Sequence, residues 1–528
     1  MPPLPEPTMK KELQDRLDLL TSLVRGGAGE NDLLEPIDAV EQIALLISLK
    51  LLDEEEEDRL RIGAERGGAA LVEEGLFPHQ TQRYRWSRWR SLEAEDRLAF
   101  VRDDVLPYMA SLGGMDRQTA AFFRGTTLRI EDPETFRRIV DEVDAITLNQ
   151  SRTDDGGEAL EYVLTNLQDT GSSPIGEFRT PRRLRKLMVK MLDPAAGETI
   201  HDPACGTGGF LVDAAEHVRG KTGGAGEDLP EPAGRGRFLH GTELNRTVAR
   251  IATANLALHG LRGARLDNGD ALDDLGEPLF AGRRNEYDVV LSNPPMGNRY
   301  RRERVRGDLP VSSARIGMLF PLLLAESLAP GGRCAMVVPD LMLQGRSRTH
   351  GELRQWLLRR FQILAVVSLP PSTFRPYSSL RASVVLFRRP ALSQRQAAAA
   401  TRCVWFHELG SDALASSRGC RADQVTADSS GVAPLLTQWE AYRASGFREP
   451  VGNEALAVLP RSSEEPRSWW APFEMIAENG CVLAASRYRP VVPEPLPDED
   501  PAELIRDAIE IERKLVAGLE QVLRAVEA

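Results

Sequence analysis

The chain has 528 residues, 42% of them hydrophobic and 27% charged, and a net charge of −12; that length predicts two or three domains with ample material for a large core. Nowhere does it approach the roughly 18 uninterrupted apolar residues of a membrane span, and the opening MPPLPEPTMKKELQDRL lacks the apolar stretch of an export signal. Five widely spaced cysteines, Cys205, Cys334, Cys403, Cys420 and Cys481, offer neither a C-x-x-C knuckle nor an even disulfide set, so a cytoplasmic protein without membrane contact or bound metal is expected.

The first 150 residues predict an all-helical domain. In VEQIALLISLKLLDEEEEDRL apolar residues recur at three and four spacing, and similar patterns follow at Leu98 to Leu112 and Phe136 to Ile146. The acidic run Glu54 to Asp58 is expected to be a solvated helix end. A basic and aromatic cluster, Arg83-Tyr84-Arg85-Trp86-Ser87-Arg88-Trp89-Arg90, either contacts nucleic acid or packs its tryptophans under arginine stems.

From about residue 176 short apolar β-type runs alternate with amphipathic stretches, the pattern of a doubly wound α/β domain. Strands are expected at Thr199 to His201, Phe238 to Gly241, Ala264 to Leu266, Asp288 to Leu291, Cys334 to Val338, Ala365 to Leu369, Ser383 to Phe387 and Cys403 to Phe406. Helices are expected near Phe210 to Val218, Arg246 to Leu258, Gly317 to Ser327 and Gly351 to Phe361. The Gly- and Pro-rich GKTGGAGEDLPEPAGRG should be an exposed loop; its Gly220-Lys221-Thr222 is no phosphate loop, because position 215 is Ala and a helix precedes it. Past about residue 390 the strand rhythm fades, and the chain closes on a helix whose Leu504, Ala508, Ile511, Leu515, Leu519, Leu523 and Val526 form one apolar seam. The expected division is a helical domain over 1–150, an α/β domain over 151–410 and a C-terminal region over 411–528 that ends in the helix.

Four strand-to-helix loops carry the chemistry. The first strand runs into Asp202-Pro203-Ala204-Cys205-Gly206-Thr207-Gly208-Gly209, whose glycines let backbone approach a ligand at a helix N-terminus. The second ends at Glu243, where an acidic residue holds ribose hydroxyls in such folds; the third leads to Asn268-Gly269-Asp270, the fourth to Asn293-Pro294-Pro295-Met296. In the last, proline removes amide donors and leaves the Pro294 carbonyl and Asn293 side-chain oxygen as acceptors for one planar amine. Such an amine could take a methyl group by direct displacement from a sulfonium, with no covalent enzyme intermediate. Five arginines with one tyrosine follow in Asn298 to Arg306, suited to phosphate contact. Cys205 is not read as a nucleophile, since no Pro-Cys loop occurs, and His407-Glu408 lacks the second histidine of a zincin.

Gly176-Glu177-Phe178-Arg179-Thr180-Pro181, DPACGTGGF, GTELN, NGDAL, NPPM and LAPGGRCAMVVPDLML, in this order, resemble the N6-adenine DNA methyltransferases of type I restriction-modification systems, and the resemblance extends over nearly the whole chain. It implies a Rossmann-like S-adenosylmethionine-dependent methyltransferase domain between the helical N-terminal domain and a helical C-terminal tail. Glu177, Phe178, Arg179, Thr180, Pro181 and Arg182 with Thr207, Gly208 and Gly209 would line the cofactor's methionine moiety, beside Asp202 and Gly206. Glu243 would hold the ribose and Asp270 the adenine amine, while Asn293, Pro294, Pro295 and Met296 would hold the target base. Arg179 and Met296 stand where that family usually carries aromatics. The implied function is methylation of a flipped adenine in double-stranded DNA by a modification subunit, two copies assembling with a specificity subunit and a restriction subunit. Methylation of RNA or of a protein glutamine, and a cofactor-binding scaffold with weakened catalysis, are the other readings.

Overall fold

The computed structural model describes residues 11–26, 34–65, 75–112, 120, 122–146, 155–168, 180–222, 238–261, 263–272, 285–296, 300–301, 311, 313, 315–375, 378, 380–391, 400–411, 413–414, 432–448, 467–490 and 501–527. The Gly- and Pro-rich insertion beyond residue 222 and most of the arginine-rich segment after Met296 lie outside them, as does Cys420.

The N-terminal region is helical, built on α1 (Lys11–Gly26), α2 (Pro36–Glu65), α3 (Trp86–Trp89), α4 (Ala94–Phe100), α5 (Leu106–Ser111), α6 (Pro133–Ala145) and α7 (Asp155–Gln168). Helix α2 is buried nearly all round between Ala39 and Ile47, as expected of a helix enclosed by others. The acidic run sits inside this helix rather than at its end: Glu56 is 2% exposed and bonded to Arg59, and the neighbouring Asp53 holds Arg85 and the Ser87 amide. The cluster at Arg83 to Arg90 packs inward in part. Trp86 and Trp89 are buried, their indoles donating to Asp144 and the Tyr84 carbonyl, and Arg85 and Arg90 are ion-paired. The carboxylates Asp53 and Asp144, distant in sequence, are what draw Arg85 and Trp86 into the core, while Arg83, Ser87, Arg88 and Arg90 stay exposed.

The α/β part is one nine-stranded sheet of β1 (Ile200–Asp202), β2 (Leu239–Glu243), β3 (Arg265–Asn268), β4 (Tyr287–Ser292), β5 (Leu328–Pro339), β6 (Gln362–Ser368), β7 (Ala382–Arg388), β8 (Cys403–Glu408) and β9 (Ser468–Pro472), ordered 3-2-1-4-5-7-6-8-9. Strands β3, β2, β1, β4 and β5 are mutually parallel; β7 is antiparallel to both β5 and β6, and β9 to β8. The connecting helices are α8 (Arg182–Leu192), α9 (Gly209–Thr222), α10 (Arg246–Leu258), α11 (Ile316–Ser327), α12 (Asp340–Gln344), α13 (Arg348–Arg360), α14 (Val432–Ala444) and α15 (Phe473–Glu478), with α16 (Pro501–Glu527) last. Strand side chains alternate between two cores: Ala335 and Val337 of β5 face one, Cys334, Met336 and Val338 the other.

Packing crosses the expected domain limits. Ile251, Ala254 and Leu258 of α10 belong to the same core as α2 and α7, and Glu41 pairs with Arg250. Beyond residue 410, Trp439 of α14 is buried with its indole on the Met191 carbonyl, and β9 extends the sheet. Gly220-Lys221-Thr222 closes α9, with Lys221 on Asp193. Among the described residues no helix is long and apolar enough to cross a membrane.

Candidate active site

The chain builds β1, β2 and β3 outward in one direction, then returns to lay β4 on the other side of β1. A doubly wound sheet opens a crevice at this reversal, outside the carboxyl ends of the strands. The loop after β1 and the Asn-Pro-Pro loop after β4 therefore flank one crevice, and those after β2 and β3 lie along the same edge.

The turn after β1 needs glycine: Gly206 and Gly208 have φ of 55° and 82°, where a side chain is strained. It is held by its neighbours. The Cys205 amide donates to the Thr242 carbonyl at 3.0 Å, and Asn255 Nδ2 donates to the Thr207 carbonyl at 2.9 Å. Glu243, at the end of β2, accepts from the Gly206 amide at 3.1 Å and the Asn245 amide at 2.7 Å. Burial pushes its carboxyl above the usual range against the pull of those amides. Asp202 is fully enclosed, and burial, reinforced by the nearby Glu243 charge, pushes its carboxyl up to about 7 although Ser292 and the Ala204 amide hydrogen-bond to it.

Asp270 accepts from the Leu272 amide at 2.9 Å and from the Tyr300 hydroxyl. Tyr300 was expected on the nucleic-acid side; its hydroxyl instead reaches Asp270, and its ring is half-buried in a small apolar cluster with Ala204, Ala271 and Phe320. At the end of β4, Pro294 is buried, Asn293 and Met296 are half-buried and Pro295 is exposed. Asn293 Oδ1 is buried and has no hydrogen-bond partner among the described residues. An oriented acceptor left in this state is costly unless a donor fills it.

Of the segment ahead of the sheet, Glu177, Phe178 and Arg179 lie outside the described residues, while Thr180 is buried and Pro181 caps the start of α8, which Arg182 begins. Its position depends on Arg185, which no motif marks. This guanidinium is enclosed between Glu161 at 3.0 Å and Asp213 at 2.6 Å and donates to the Thr180 carbonyl at 3.3 Å; the only hint in the sequence is an arginine on the buried face of α8. Ser292 and Phe374 stand inside recognisable motifs, Ser292-Asn293-Pro294-Pro295-Met296 and LRQWLLRRFQILAVVSLPPSTF, but the sequence gives neither a role of its own. Phe374, in the loop after β6, and Met296 are each half-buried against the large core on one face of the sheet.

Residues 151–491 match the family model described as N-6 DNA Methylase. The chain belongs to the N-6 DNA methylase family. It is 28% identical over 383 residues to the methylase subunit of the type I restriction enzyme EcoEI of Escherichia coli, covering 70% of this chain and 72% of that one. With the StySJI methylase subunit of Salmonella typhimurium it shares 29% identity over 342 residues, 62% of each chain. A solved chain from a study of complex assembly in the type I R-M system superimposes with a TM-score of 0.67 at 27% identity, over 99% of both chains. A modification subunit of a type I restriction enzyme from Vibrio vulnificus shares the fold, with a TM-score of 0.65 at 22% identity over 91% and 97% of the two chains.

Proposed function

We propose that this chain is the modification subunit of a type I restriction-modification system and transfers the methyl group of S-adenosylmethionine to the N6 amine of a flipped adenine in double-stranded DNA. The observation that carries the reaction is the buried Asn293 Oδ1, without a hydrogen-bond partner among the described residues and followed by two prolines. An exocyclic amine satisfies it. With one hydrogen on Asn293 Oδ1 and the other on the Pro294 carbonyl, the nitrogen lone pair is drawn out of ring conjugation and directed toward the crevice. Met296 would cover a face of the base, the cost of unstacking it being a few kcal/mol.

The residues along the sheet edge fit the cofactor. S-adenosylmethionine, when bound, supplies an electrophilic methyl on a sulfonium. Glu243 retains lone pairs for two ribose hydroxyls after accepting two backbone amides, Asp270 accepts an adenine amine, and Thr180 to Arg182 with Asp202 and Gly206 to Gly209 surround the methionine end. Asp202, near its midpoint at neutral pH, can answer a nearby ammonium by ionising.

Sequence choice is assigned to a separate specificity subunit. Helix α16 exposes Ile505, Ile509, Ile511, Leu515, Val516, Leu519, Val522 and Leu523, each at least 44% accessible, and a helix with so broad an apolar stripe is suited to packing on another chain. Two copies of this chain around one specificity subunit, joined by a restriction subunit for cleavage, are the assembly proposed. Neither the family nor the relatives favour RNA or a protein glutamine as substrate. Transfer of tritiated methyl to adenine in duplex DNA by the chain with its specificity partner tests this function; label on RNA or protein but not DNA would overturn it.

A further inference from the structure

A second concavity, of about 1210 Å³, lies outside the crevice between the α12–α13 junction and the segment 479–487. Its charged lining is Arg346, Arg348, Arg354 and Arg487 against one carboxylate, Glu352. In a chain with net charge −12, three excess positive charges in one groove run against the overall composition. Large apolar side chains are few in it, so it is not built to seat a protein, and its volume exceeds what one small ligand fills.

The two walls of the groove are joined by one side chain. Arg354 is buried, donating to the Cys481 carbonyl at 2.8 Å on one side and to the Met342 and Gly345 carbonyls at 2.9 and 3.0 Å on the other. Arg346 and Arg487 stand exposed, Arg487 propped on Asn479 at 3.0 Å. Place matters as much as charge. Helix α12 begins directly after Pro339, the last residue of β5, and β5 runs parallel to β4 with Met336 beside Ser292, so the groove adjoins the sheet edge that carries Asn293, one strand over. Arg315 stands exposed at the N-cap of α11.

We infer that this arginine groove holds the phosphate backbone of the DNA strand beside the extruded base, an inference that rests on the DNA-methylation reading above. Arginine forks suit phosphate oxygens, and such contacts set register without reading sequence. The test is a fluorescence-anisotropy titration of the full chain, assembled with its specificity partner, with a labelled duplex over a series of salt concentrations. Arg346→Glu with Arg487→Glu should weaken binding at low salt at least tenfold and make the slope of log affinity on log salt shallower by about 2. Arg346→Gln with Arg487→Gln should do the same to a smaller degree. The matched reversal Arg61→Glu with Arg102→Glu, on the helical region, should keep the wild-type slope, and cofactor affinity by calorimetry should be unchanged in all. Inorganic phosphate at equal phosphate concentration should not compete, which separates a polymer backbone from a free anion. A groove variant indistinguishable from the Arg61/Arg102 control would overturn the inference, as would variants that bind DNA normally but lose the specificity subunit. A wild-type chain with cofactor affinity but no salt-dependent duplex binding would bring down the DNA reading itself, and the groove with it.

Discussion

Ser292 Oγ donates to Asp202 Oδ1 at 2.7 Å, with both side chains buried. One residue ends β4 and the other ends β1, so this bond joins the strand before the Asn-Pro-Pro loop to the strand before the glycine turn. Asp202 ionises at about 7 in the folded chain against 3.8 ordinarily, so the folded state holds the proton more tightly. Its contribution to stability is then complete below about pH 4 and is lost as pH rises through about 7. The melting temperature of the wild type should fall relative to Asp202→Asn between about pH 4 and 7. A constant difference across that window would contradict the burial argument.

Glu243→Ala should weaken cofactor binding by about 1.5–3 kcal/mol, the loss of charge-assisted hydrogen bonds to ribose hydroxyls. Calorimetry with S-adenosylmethionine measures it. Unchanged affinity would remove Glu243 from the site.

At Met296 a thioether stands where an aromatic ring would stack on the base with better-defined geometry. Met296→Phe should therefore strengthen the hold on the flipped adenine by up to about 1–3 kcal/mol, and Met296→Ala should weaken it. The fluorescence of 2-aminopurine placed at the target position follows base extrusion directly. Equal signals from all three proteins would exclude contact between residue 296 and the base.

Deleting residues 501–528 should leave cofactor affinity unchanged, because α16 is exposed along its described length and the strand ends that form the crevice lie far upstream. Co-purification with the specificity subunit should be lost. A truncated chain that still assembles would shift the partner surface elsewhere.

Much of this was legible in the sequence for a physical reason. Strands buried on both faces read as apolar runs whatever their direction, so β1, β2, β4, β5, β6, β7 and β8 stand close to their expected positions, and glycine and proline mark the loops after β1 and β4 because those turns need them. Strand β9 was not legible: Ser468–Pro472 is five residues long, ends in proline and follows a polar stretch. Nor was the placement of β7 between β5 and β6, since an antiparallel insertion leaves no trace in the pattern of one strand. The residues that steady the site, Arg185 with Glu161 and Asp213, and Ser292 with Asp202, are tertiary pairings between distant segments. Similarly, Arg85 and Arg90 read as free cations until Asp53 and Asp144 are seen beside them.

Asn293 is proposed to hold the amine that receives the methyl group. The direct measurement is single-turnover transfer of tritiated methyl from S-adenosylmethionine to adenine N6 in duplex DNA, for wild type and Asn293→Ala assembled with the specificity partner, alongside calorimetric cofactor affinity. Wild type should yield N6-methyladenine, and the variant should bind the cofactor almost as well while transfer is abolished. An Asn293→Ala protein that methylates adenine at the wild-type rate would contradict the account.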